Sequence, residues 1–377
     1  MRYYDANGLY QAGKAAGCKN LVAVGGKGNG KTFGFLRKGI DIFLGLEDPA
    51  LEGYIIRYAR RLKESVVSTN LKNLFRPHLA YIEQVTNGEY NMVVQRGRRF
   101  YLAYYEDDKK VRQMQREFCV VNSLSTWETD SGADEGEAGI CIYDECISRE
   151  RELIDEFSSI MRWHNNCMRN RTGYYCPLVL LGNTVTRDCT ILEDFGIDLW
   201  SLDADDQGKV IYVRNRAGEL NVIFEWCGKV DVQAESAREY YDRFYNDKTR
   251  MITDGVFSLG TYKTMHPDRC ERCSDDALSI YLVTPHAKLR ASVRIKKQGG
   301  AFMYITPIEH LKDGDVIINP RAVTCTGNVV NFMPKRLRDL FTTFFALGNM
   351  IFDRPQTGEI YRSFAGSCPG LESCIPD

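Results

Sequence analysis

The stretch Gly25-Gly26-Lys27-Gly28-Asn29-Gly30-Lys31-Thr32 fixes more about this chain than any other eight residues. An apolar run, Leu21-Val22-Ala23-Val24, leads into it, and a helical pattern from Phe33 to Leu44 leads out. Glycines at this density let successive backbone N–H groups turn inward on one side of a tight loop, where they can cradle a polyphosphate. Lys31 supplies a point charge for the outer phosphates, and the Thr32 hydroxyl stands where a Mg²⁺ ion would need a ligand. Strand, loop and helix in this order predict an α/β fold that binds ATP with Mg²⁺ through residues 25–32.

A second half of such a site lies far downstream. Ile140-Cys141-Ile142-Tyr143-Asp144-Glu145 is an apolar run ending in two carboxylates. It reads as a buried parallel strand that delivers acids at its C-terminal edge, the edge where open α/β sheets bind ligands. Asp144 suits the water-mediated Mg²⁺ partner of Thr32. Glu145 suits the carboxylate that orients and deprotonates an attacking water, which makes hydrolysis the expected reaction.

The chain has 377 residues, enough for about two domains. Lys and Arg number 49 against 50 Asp and Glu, so nucleic-acid contacts must come from local patches and not from a global basic field. No apolar stretch has signal-peptide character between Met1 and Asn20, and none reaches the length of a membrane span, so a soluble intracellular protein is expected. The 13 cysteines then read as reduced thiols, with Cys119, Cys141, Cys176 and Cys227 as small core residues. His266, Cys270 and Cys273, with Cys368 and Cys374, have partial zinc-ligand spacing, but no second pair completes a site and no zinc is expected there.

Along the chain, strand patterns at 54–58, 80–105, 118–121, 140–145, 177–181, 209–214 and 220–226 alternate with helical ones at 62–75 and 150–170. A polar loop spans 129–139. The alternation predicts a mostly parallel sheet covered on both faces. Residues 1–230 form this ATPase domain, 231–276 a helical linker, and 277–377 a smaller α+β domain. The last has strands at 279–284, 289–296 and 301–306, a helix from 336 to 350, and a frayed end from Ser363 to Asp377.

Several motifs follow one another in a telling order: the phosphate loop, Arg57 with Arg60-Arg61, Gly97-Arg98-Arg99-Phe100-Tyr101, Ser125-Thr126-Trp127, Tyr143-Asp144-Glu145, Met168-Arg169-Asn170-Arg171 and Leu181-Gly182-Asn183. Together they resemble the genome-packaging ATPase of phi29-like tailed bacteriophages, related to large terminase ATPase subunits. The resemblance spans the first 230 or so residues and continues more weakly to the C-terminal hairpin and helix. It implies an ASCE-type P-loop ATPase domain followed by an RNase H-like domain without nuclease acids. It also implies a ring of subunits, typically five, which drives double-stranded DNA through the portal of a prohead. A packaging RNA is a further partner in some members. The setting it implies is the host cytoplasm, transiently at the portal vertex and outside the mature virion.

Carried over residue by residue, Lys31 and Thr32 match the Walker A lysine and hydroxyl, and Asp144 and Glu145 the Walker B aspartate and catalytic glutamate. Arg169 matches an arginine finger reaching a neighbour's ATP, and Arg60 a second basic residue acting in trans. Lys27 stands where the family often has arginine, which keeps the charge and loses the guanidinium fork. Arg169 and Arg171 also suit a helix C-terminus through its dipole. Asn183 and Thr184 end a strand where a γ-phosphate sensor would sit, and an ordinary strand-end turn fits them as well.

Candidate DNA contacts are Arg96 with Arg98 and Arg99, Lys109 and Lys110 with Arg112 and Arg116, and Arg294 with Lys296 and Lys297. Each patch is modest, but a ring repeats it into a positive collar suited to sequence-independent phosphate contacts. The strands at 279–306 lack the clustered acids a two-metal nuclease needs. Other readings stay open: another ASCE translocase or helicase, a nucleotide-gated binding module without turnover, or a small-molecule kinase.

Overall fold

The structure is a computed structural model describing residues 4–61, 71, 73–124, 137–147, 155–168, 173–185, 187, 189–202, 204–228, 262–270, 278–284, 287–296, 299–311, 316–322, 328–371 and 374. The chain divides into two compact units, Met1–Ser258 and Leu259–Asp377.

Among the described residues of the first unit, ten strands form one sheet. They are β1 (Asn20–Gly25), β2 (Ile55–Arg60), β3 (Met92–Arg96), β4 (Arg99–Glu106), β5 (Lys109–Gln113), β6 (Cys119–Ser123), β7 (Ala138–Asp144), β8 (Leu178–Asn183), β9 (Val210–Arg214) and β10 (Leu220–Trp226). Their order is β3-β4-β6-β2-β7-β8-β1-β10-β9, with β5 hydrogen-bonded to β4. From β6 to β10 every neighbour is parallel, while β3, β4, β5 and β9 are antiparallel additions at the flanks. β8 therefore separates β1, which leads into the glycine-rich loop, from β7, which ends in Asp144.

The central strands are apolar along their whole length because both faces are covered. One face packs Leu21, Ile56, Tyr58, Ile140 and Ile142 against Leu9, Tyr10, Phe35 and Ile40 of helices α1 (Ala6–Ala16) and α2 (Lys31–Phe43). The other packs Val22, Val24, Tyr143, Leu178 and Leu180 against Ile160 and Trp163 of a later helix, Glu156–Met168.

Several expectations need correction. Residues 79–85 form a helix, α3, rather than a strand, and Asn87 (φ 51°) and Gly88 (φ 77°) lie just beyond its C-terminus. The helix Glu156–Met168 (α4) lies within the expected 150–170, and its flanks at 148–154 and 169–172 fall outside the described residues. The expected helix at 62–75 and helical linker at 231–276 also fall largely outside them. α1 was not anticipated, although Asp5 caps it by accepting a hydrogen bond from Asn7 N–H and Gly17 closes it at φ 65°.

Among the described residues, the second unit has a six-stranded sheet in the order β15-β14-β11-β12-β13-β16. β11 (Leu278–Val283), β12 (Lys288–Ile295) and β13 (Ala301–Ile308) form an antiparallel meander. β14 (Ile317–Ile318) runs parallel to β11, β15 (Val329–Val330) parallel to β14, and β16 (Met350–Phe352) parallel to β13. Helices α5 (Lys335–Ala346) and α6 (Pro355–Ser367) supply Phe341, Phe344, Tyr361 and Phe364 to the core. The expected helix thus stops at Ala346, where Gly348 at φ 63° turns the chain into β16. The expected frayed end is instead helical to Ser367, with Cys368, Leu371 and Cys374 buried. In neither unit is a described helix long and apolar enough to cross a membrane.

Candidate functional site

The loop between β1 and α2 turns because Gly28 (φ 81°) and Gly30 (φ 96°) occupy the left-handed region, which other residues enter at a cost. Gly30 is the cap of α2, so Lys31 and Thr32 open the helix with its positive dipole end beneath them. Lys31 is buried, and its Nζ donates to the carbonyls of Gly25 (3.0 Å) and Gly26 (2.9 Å) and to the side-chain oxygens of Asn29 (3.1 Å) and Asn183 (3.3 Å). Burial lowers its pKa, against which nearby Cys227 and Asp144 support the charged form. Lysine is thus held at the neck of the loop by acceptors that a phosphate oxygen would replace.

Asp144 is the meeting point. Its Oδ2 accepts hydrogen bonds from Thr32 Oγ1 (3.1 Å), Tyr58 OH (2.6 Å) and Arg60 Nη2 (3.0 Å), and its Oδ1 accepts from Glu145 N–H (3.0 Å). Thr32 and Asp144 are 112 positions apart in sequence, Thr32 at the start of the helix that follows β1 and Asp144 at the end of β7, with β8 between the two strands, so their contact is a product of the sheet order.

Glu145 follows at φ 64°, a left-handed conformation that is uncommon for a residue with a side chain. Such outliers cluster at functional sites. Its side chain is 48% exposed, with Oε1 3.6 Å from Arg60 Nη1. Burial disfavours the Arg60 charge, but Tyr58, Asp144 and Glu145 outweigh it and raise the guanidinium pKa further. Arg60 therefore contacts the acids of its own chain. A role in a neighbouring subunit would require it to leave them.

Asn183 ends β8 beside Gly25, its partner in register. Thr184 is buried, its N–H donates to Gly25 O (3.3 Å), and its hydroxyl has no hydrogen-bond partner among the described residues. Asn29 is buried, Lys27 and Gly28 are exposed, and Gly26 contributes the carbonyl already described. Arg169 and Arg171 lie outside the described residues, directly after the C-terminus of α4.

A network behind the site was not read from the sequence. Arg61 Nη2 lies 2.9 Å from Glu156 Oε1 and 3.0 Å from Cys146 O, and the Tyr143 hydroxyl also donates to Glu156. It joins the end of β2 to the start of α4. Arginine after a strand was visible, but its acid lies 95 positions away.

The basic candidates of the first unit lie on or beside its flanking strands β3–β5 and not on β1, β7 or β8. Arg98 and Arg99 sit at the β3–β4 turn, where Arg99 Nη1 is 3.6 Å from Glu117, and Lys109 and Lys110 open the exposed strand β5. Arg112 packs over the rings of Tyr90 and Tyr104 at 5.2 and 5.4 Å, and Arg96 donates to Gln113. In the second unit, Lys296 lies 5.8 Å from the Phe302 ring centre, Arg294 is engaged with Cys270 O at 3.0 Å, and Lys297 is outside the described residues.

No family model and no curated protein matches the chain. Solved structures do. The Phi-28 gp11 DNA packaging motor aligns at TM-score 0.55 with 15% identity, over 97% of this chain and 98% of that one. The bacteriophage Phi-29 viral genome packaging motor assembly aligns at TM-score 0.55 with 17% identity, over 97% and 100%. The N-terminal domain of the bacteriophage phi29 DNA packaging ATPase aligns at TM-score 0.43 with 18% identity, over 59% and 95%. Over nearly its whole length, this chain has the mixed α/β fold of phi29-type DNA packaging motor chains.

Proposed function

We propose that the chain is an ATP-hydrolysing subunit of a viral DNA-packaging motor. One observation carries the reading: the Thr32 hydroxyl and Asp144 carboxylate meet at 3.1 Å across the sheet edge, directly beside the phosphate-type loop and the left-handed Glu145. A Mg²⁺ ion held by Thr32 and, through water, by Asp144 would neutralise the charge that develops on the transferred phosphoryl group. Lys31 binds the outer phosphates, Glu145 activates water, and Asn183 and Thr184 sense the γ-phosphate. The insertion of β8 between β1 and β7 supports an ASCE-type domain. A three-strand meander with further strands parallel to its first supports an RNase H-like second unit, here read as a docking module.

In this reading several copies of the chain, five in number, form a ring on the portal in the host cytoplasm. Arg169 acts on the neighbour's nucleotide, Arg60 tunes Asp144 and Glu145 in cis, and the basic flank formed by β3–β5 faces DNA phosphates. The deciding experiment measures phosphate release with ATP and Mg²⁺, alone and with double-stranded DNA and proheads. Stimulation by both is expected, with Lys31→Ala inactive. Turnover that ignores DNA and proheads would favour a different ATPase, and binding without turnover a nucleotide-gated module.

A further inference from the structure

Beneath the site, on the α4 face of the sheet, Cys141, His164 and Cys176 are all buried, and one ligand-capable atom of each lies within 4.8 Å of the others. Cys141 is central in β7, His164 is on α4, and Cys176 immediately precedes the Pro177 whose carbonyl accepts from Cys141 N–H (2.9 Å). Cys167, three residues after His164 and so on the same helix face, shares a side-chain hydrogen bond with Cys141, as does Cys176. Two thiols and an imidazole thus converge on one point, with the Cys167 thiol beside Cys141.

We propose that Cys141, His164 and Cys176, with neighbouring Cys167 drawn in as the fourth ligand, form a structural site for a thiophilic divalent cation, zinc by ligand class. Buried cysteines alone are ordinary core residues, so the argument rests on the arrangement. His164 Nε2 lies 3.2 Å from the backbone oxygen of Cys176. A carbonyl only accepts, so Nε2 carries the proton and Nδ1 keeps its lone pair. Donation of one ring N–H to a backbone carbonyl while the other nitrogen ligates is the usual orientation of a metal-bound histidine. Sulfur and imidazole donors together select zinc over magnesium or calcium.

Charge is accounted for as well. Three thiolates and a dication leave one net negative charge, and Arg57, buried and in register with Cys141 on the adjoining strand, supplies a positive one. Binding displaces three thiol protons, which the solvent takes up during folding. The consequence is mechanical: the ion would tie β7, which ends in Asp144, to α4 and to the segment entering β8, which ends in Asn183. The inference does not depend on the nucleotide reading.

The test uses the full chain without a histidine tag, produced with zinc in the medium, desalted and assayed for metal by mass spectrometry. About one zinc per chain is expected. The Cys141→Ser/Cys176→Ser double variant should lose it on washing with a chelator, while Cys270→Ser/Cys374→Ser should retain it. Folded wild type with less than about a tenth of an equivalent of zinc overturns the site. So does zinc that survives the first double variant or disappears with the second. Should that first variant fail to fold, cobalt(II) exchange into wild type decides. A thiolate-to-cobalt charge-transfer band supports the site, and cobalt uptake without one, or no uptake, overturns it.

Discussion

In the first unit the parallel strands β1, β2, β7 and β8 finish on Gly25, Arg60, Asp144 and Asn183, and these four positions touch one another or the same lysine. In the second unit β11, β12, β13 and β16 finish on Val283, Ile295, Ile308 and Phe352. Both sheets bury an apolar core against helices, so hydrophobic packing does not distinguish them. The difference lies at the strand ends. Polar groups there are costly to bury unless partnered, and the first unit satisfies them by mutual hydrogen bonds that a ligand can take over. The second unit shows no comparable convergence among its described residues.

The largest effect expected is at Arg169, which extends the comparison across a subunit boundary. Arg169→Ala should bind ATP nearly as wild type, because Lys31, Thr32 and Asp144 are intact, yet lose turnover by a factor of roughly 10³ or more. Glu145→Gln should also bind and fall by roughly 10²–10⁴. Equal mixtures of the two dead variants should regain some hydrolysis, since at some interfaces an intact Glu145 then faces an intact Arg169. A stable, inactive Arg169→Ala that mixing never rescues, under conditions where wild-type rings form, rejects the trans role. Retained turnover with about 1 kcal/mol lost from stability would instead mark a helix-capping cation.

A smaller effect, on stability, is expected at the network behind the strand ends. The Arg61 and Glu156 side chains are 12% and 4% exposed, so Arg61→Ala strands a buried carboxylate beside Tyr143. Removing one partner of such a pair typically costs about 3–5 kcal/mol. Urea unfolding of the single variant and of Arg61→Ala/Glu156→Gln should show that loss, then partial recovery. A loss below about 1 kcal/mol would mean the pair behaves as a solvent-screened one and does not brace the edge.

Legibility in the sequence followed the range of the interactions. Residues 25–32 and the acids at 144–145 could be read because each is a contiguous pattern with its flanking element attached. Tyr58, Arg61 and Glu156 could not, since Tyr58 looks like any strand residue and its bond to Asp144 spans 86 positions. The site cysteines were legible as core residues but not as a cluster, because Cys141, His164 and Cys176 meet only through strand and helix packing. Some local signals were overlooked. Pro355 in the first turn of α6 favours a helix start, and Asp5 and Gly17 bracket α1, whose glycines weaken its apolar stripe. In 79–85 the tyrosine and isoleucine suggested a strand, but these residues continue the turn begun at Arg76–His78 as a helix.

The smallest expected effect is none at all: the purified chain should leave DNA intact in Mg²⁺ or Mn²⁺. Two-metal cleavage needs carboxylates clustered to hold ions about 4 Å apart. Among the described residues, no strand of the second unit's sheet carries an Asp or Glu. Two acids adjoin strand ends: Glu309 follows β13, while Asp353 follows β16, accepts a hydrogen bond from the Thr357 hydroxyl and lies 3.5 Å from Arg354. Asp353 is committed to the start of α6, and Glu309 is exposed. Asp275, Asp276, Asp313 and Asp315 fall outside the described residues, so Asp275 and Asp313 are tested along with Asp353. Incubation of supercoiled DNA with the protein and each metal, resolved on a gel, makes the check. Cleavage that disappears in Asp275→Asn, Asp313→Asn or Asp353→Asn would place chemistry in the second unit and break the contrast between the two sheets. Cleavage that survives all three and separates from the protein on further purification would trace to a contaminant and leave the contrast standing.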